Sequence, residues 1–82
     1  MTFLQYSMKF LQDNGMFESQ AQAVVVQMTQ DNHPEGISSR WNDDLEGYPE
    51  VMTAVFTMTL KSAALEWIDK NIPKAWYRPI FV

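Results

Sequence analysis

The stretch "PEVMTAVFTMTLKSAALEWIDKNIP", residues 49–73, decides the fold. Pro49 is a favoured first helical residue, Glu50 places a negative charge at the positive end of a helix, and Pro73 stops one. The spacing between them predicts a single helix from Pro49 to about Asn71. Val51, Val55, Met58, Leu65 and Ile72 recur along one row of that helix. Met52, Phe56, Leu60, Ala63, Ala64, Trp67 and Ile68 recur along another, so most of the circumference is apolar. Large side chains contribute about 1.5–3 kcal/mol each when buried, before entropy is counted. The expectation is therefore a central rod around which the remaining chain gathers. Lys61, Ser62, Glu66 and three threonines make the same segment costly to place in a bilayer, and no membrane association is expected.

Working outward, the amino-terminal segment predicts a first helix from Thr2 to about Asp13. Thr2 serves as its cap, Phe3, Leu4, Met8 and Leu11 as its apolar face, and Asn14-Gly15 as its left-handed stop. A second helix is expected from Ser19, capped reciprocally with Gln22, to between Gln30 and Asn32 ahead of His33-Pro34. Ala21, Val24, Val25 and Met28 form its buried stripe; the β-branched run Val24-Val25-Val26 leaves strand as the alternative there. Residues 32–48 are too long for a wholly irregular loop in so small a chain, and one or two helical turns are expected within them. Ser38 or Ser39 would cap these turns, Trp41 and Leu45 would share a face, Arg40 would reach Asp44, and Gly47 would end the segment. The tail "PKAWYRPIFV" is too aromatic to be left in water and is expected to pack, extended, on the bundle or on a partner. The fold class read from these elements is all-α: three main helices, one short helix and an extended aromatic carboxy-terminal segment, in one domain over residues 1–82.

Composition narrows the function. The 82 residues are 46% hydrophobic and 13% aromatic, which is globular composition, and they include no cysteine. Disulfides, thiolate metal sites and cysteine nucleophiles are thereby excluded, and a reducing cytoplasm suits the chain. Its first residues lack the basic start and continuous apolar run of an export signal. Net charge is −4, unevenly spread: residues 1–50 carry eight acids and two bases, residues 51–82 two acids and four bases. That acidity argues against nucleic acid as a partner, because phosphate affinity comes chiefly from charge neutralisation.

Four acids, Asp43, Asp44, Glu46 and Glu50, surround Trp41 and Tyr48 in "RWNDDLEGYPE", residues 40–50. Read as a calcium loop, the chain from Asp31 places His33 at the third position, Pro34 at the fourth and Asn42 at the twelfth, where glutamate is needed, so no metal is expected. The simplest reading gives Glu50, with Glu46, to the positive end of the third helix and pairs Asp44 with Arg40, leaving Asp43 unexplained. His33 is the single histidine, which rules out a histidine-pair metal site, and no glycine-rich phosphate loop exists. Neither a cofactor nor enzymatic activity is expected.

In the tail, Lys70, Lys74 and Arg78 recur every four residues among Trp76, Tyr77 and Phe81. Trp, Tyr and Arg dominate interface energetics. The opposed charges of the two regions also allow Lys74 or Arg78 to lie against Asp43, Asp44 or Glu46 within one chain or between copies.

At "RWNDDLEGYPE" and "ALEWIDKNIPKAWYRPIF" the chain resembles small uncharacterised proteins encoded by tailed bacteriophages and prophages, over its carboxy-terminal half. The resemblance carries no catalytic motif. It implies a protein that binds and blocks a host protein, such as a restriction or CRISPR effector. The expected function is a small acidic protein-interaction module whose partner-binding residues are Trp41, Asp43, Asp44, Glu46, Tyr48, Trp76, Tyr77 and Arg78. The alternative is a structural homo-oligomer that buries the apolar face of the third helix.

Overall fold

In the computed structural model, residues 1–31, 40–76 and 79 are described. Thr2 caps the first helix, α1 (Phe3–Asp13), by accepting from Gln5 N at 3.1 Å, while the Gln5 side chain accepts from Thr2 N at 2.9 Å. The two preceding helical amides are satisfied from a distant segment: Phe3 N donates to Asp43 O at 3.1 Å and Leu4 N to Trp41 O at 3.0 Å. The first free N–H groups that any helix exposes are thus covered by residues 41–43 and by the capping pair. A single antiparallel bridge, Thr2 to Asp44, marks the crossing; no strand is formed among the described residues. At the other end Gly15 takes φ 101°, with Gly15 N donating to Gln12 O and Met16 N to Leu11 O. This paired closure needs a residue that tolerates the left-handed region, and glycine supplies it.

The second helix, α2 (Glu18–Gln30), begins one residue before the expected Ser19. Its reciprocal cap is shifted too: Gln20 Oε1 accepts from Phe17 N at 2.9 Å, so the Ser19–Gln22 box is not the one used. The valine run is helical, with Val24 buried, Val25 half-buried and Val26 exposed. Ala21, Val24 and Met28 form the buried stripe.

A 3-10 turn at Leu45–Gly47 leads into α3 (Glu50–Asn71), which Pro49 caps and which ends before Ile72 and Pro73. The architecture is all-α, as the sequence predicts. Among the described residues no helix is long and apolar enough to cross a membrane. Of the tail, Trp76 is exposed and Pro79 buried, and residues 77, 78 and 80–82 lie outside the described residues, as do Ser38 and Ser39.

The core corrects the picture of an enclosed central rod. Phe3 and Leu11 of α1, Ala21, Val24 and Met28 of α2, and Phe56, Leu60, Ala64 and Ile68 of α3 bury one another, joined by Met16, Trp41 and Ile72. The row of Phe56, Leu60, Ala64 and Ile68 enters this core; of the other row only Ile72, just past the helix end, is buried, while Met52, expected beside Phe56, is exposed. Val51, Val55, Met58 and Leu65 face outward, because two short helices and one turn supply enough surface to cover a single face of a rod about 33 Å long at ~1.5 Å per residue.

Candidate functional site

The acidic segment, residues 40–48, closes the amino end of α1. Trp41 packs its ring edge-on against Phe56, with centroids 6.1 Å apart, and donates its indole N–H to Thr29 Oγ1 at 2.7 Å. It is 8% exposed, a core side chain that links this segment to α2 and α3. Tyr48 packs edge-on against Phe3 at 5.1 Å and donates its hydroxyl to Asp43 Oδ2 at 2.7 Å. Asp43, which sequence reasoning left unexplained, therefore positions Tyr48 and, through its backbone carbonyl, caps α1. That hydrogen bond to the Asp43 carboxylate, with partial desolvation, holds the Tyr48 hydroxyl above its ordinary pKa.

Asp44 does not pair with Arg40. It caps the 3-10 turn by accepting from Glu46 N at 3.2 Å and lies 3.3 Å from the Met1 ammonium, which Glu46 approaches at 3.6 Å. Hydrogen bonding with Glu46, through side chain and backbone, and then the nearby ammonium, hold its carboxyl below the ordinary range. The Arg40 guanidinium lies over the Tyr48 ring, 5.8 Å from its centroid. Among the described residues no group of three acidic or histidine side chains could hold a metal ion.

The eight residues singled out from sequence are thus dispersed in role. Trp41, Asp43, Asp44, Glu46 and Tyr48 come together, but Trp41 points inward and the others make contacts internal to the fold. Trp76 is 72% exposed, while Tyr77 and Arg78 lie outside the described residues. Lys74 forms no ion pair with Asp43, Asp44 or Glu46.

The surface with unspent apolar area lies elsewhere. Val51, Val55, Met58 and Leu65 are 68, 57, 70 and 45% exposed along one face of α3, with Met52 at its margin. A shallow depression in this face is lined by Val55, Met58, Thr59 and Ser62. The sequence shows these residues as a row, in which Ser62, between Met58 and Leu65, completes an alternating spacing of four and three, the repeat of a two-helix seam. The flank of α3 that turns toward α2 forms a groove with that helix whose rim includes Asp31, Glu66, Trp67 and Lys70. Lys70 already holds Glu66 there at 3.0 Å.

Compared with protein-family models, with curated proteins and with solved structures, the chain has no match.

Proposed function

We propose that this protein works by protein–protein contact and that the outward face of α3 is its docking surface. The observation that supports this reading is the exposure of four large apolar side chains, Val51, Val55, Met58 and Leu65, in one continuous row beside a core already complete without them. Isolated apolar side chains on a surface are ordinary, whereas a contiguous row is the usual mark of an interaction site. Trp76, nearly three-quarters exposed, is a further contact in the same reading. The resemblance to phage-encoded proteins makes a host protein the outside partner class to test. The residues around Trp41 support the surface indirectly, by fixing the short helices against α3.

A photo-reactive side chain in place of Met58 tests this in cells producing the protein. Covalent adducts with protein at position 58, and few at the exposed α1 position Gln12, are expected. Equal labelling at both positions would overturn the assignment.

A further inference from the structure

We infer that the outward face of α3 is covered by the same face of a second copy, with the two helices parallel. The inference rests on the docking reading and names its occupant.

Val51, Val55, Met58, Ser62 and Leu65 are separated by four, three, four and three residues. That spacing keeps side chains on one seam when two helices wind around each other with a left-handed supercoil. A seam of this repeat on one helix is complementary to another of the same repeat, and an identical copy provides one by two-fold symmetry. Ser62, the smallest residue of the seam, lies next to its carboxy-terminal end and lets the backbones approach there.

Charge selects the orientation. Lys61 borders the seam on one side and Glu66 on the other, five residues further along. In a parallel pair, flanking residues meet across the seam with that offset of five, so each copy's Lys61 meets the other's Glu66, twice by symmetry. In an antiparallel pair each flank meets its own counterpart. The Lys61 flank then offers Ala54 and Lys61, with no acid to receive the ammonium. Among the described residues Lys61 has no ion pair. Glu66 is engaged with Lys70, but both side chains are about two-thirds exposed and such pairs exchange readily.

The seam is short. The next position in the repeat is Asp69, where a parallel pair brings like charges together, so contact ends at Leu65 after about 21 Å at ~1.5 Å per residue. Association is therefore concentration-dependent rather than permanent.

Sedimentation equilibrium of the full chain over about a hundredfold concentration range tests this, since a reversible dimer dissociates on dilution. The wild type is expected to pass from monomer to dimer and Met58→Glu to stay monomeric. Lys61→Glu and Glu66→Lys are each expected to weaken the dimer about tenfold, or ~1.4 kcal/mol. The double reversal should return it to within about threefold of wild type. Circular dichroism on dilute samples checks that every variant keeps its helices. A folded wild type that stays monomeric throughout overturns the proposal, and so do single reversals without effect or a double reversal without recovery. Photo-crosslinking at position 58 then separates the two readings: adducts to a different protein leave the docking surface standing, and no adducts remove both.

Discussion

Met58 and Leu60, two positions apart on α3, stand at opposite extremes: Met58 is 70% exposed and Leu60 fully buried. Their separation turns them to opposite sides of the helix, so one joins the core and the other the outward row. Leu60→Ala is expected to destabilise the protein by about 2–5 kcal/mol, because it removes a buried side chain and leaves a cavity. In dilute solution Met58→Ala is expected to change stability by less than about 0.5 kcal/mol. Urea denaturation of both variants measures the contrast, and equal losses would contradict the assignment of faces.

The bond from Trp41 Nε1 to Thr29 Oγ1 ties the segment after α2 back to that helix. Thr29→Val keeps the shape but leaves the indole N–H without its acceptor. A loss of about 1–3 kcal/mol is expected. Thermal melting checks the size, and a shift in indole fluorescence on the folded variant checks the cause.

Tyr6 and Thr57 share a hydroxyl–hydroxyl contact at 2.6 Å, which joins α1 to α3. Tyr6→Phe and Thr57→Val, alone and together, form a double-mutant cycle. A coupling of about 0.5–1.5 kcal/mol is expected, the usual net worth of one such bond. Additive losses would mean that the helices are held by apolar packing alone.

The Tyr48 hydroxyl has its pKa raised by the hydrogen bond to Asp43. A group whose folded pKa lies above its unfolded value contributes stability that is fully present below the unfolded pKa, near 10 for tyrosine, and is lost as pH rises through the folded pKa. The wild type should therefore lose this contribution in the alkaline range. Tyr48→Phe and Asp43→Asn should each remove that part of the pH dependence. Melting temperatures measured from neutral pH to above pH ~10 decide the matter.

Much of this structure is written in local chemistry. Thr2, Asn14-Gly15, Pro49 and Pro73 act on their immediate neighbours, and helix ends at those positions are legible from sequence. The start of α2 is less so, because its cap uses the Gln20 side chain on the Phe17 amide with no hydroxyl partner to mark the site. The role of residues 41–43 depends on a contact with α1 some forty positions away, which no local pattern encodes. Trp41 and Tyr48 consequently resemble surface anchors in the sequence, although their rings pack against Phe56 and Phe3. For α3 the difficulty is different: both rows are apolar, and periodicity alone gives no reason for Phe56, Leu60, Ala64 and Ile68 to be the ones covered.

The fold and the docking surface both depend on α3 burying one row and presenting the other. Methionine oxidation by dilute peroxide, followed residue by residue with mass spectrometry at concentrations where the chain is monomeric, tests this directly. Met58, 70% exposed, should oxidise at about the rate of an unfolded peptide, while Met28 and Met16, at 1% and 4%, should lag by about tenfold or more. Met58 reacting as slowly as Met28 in the dilute folded protein would contradict it.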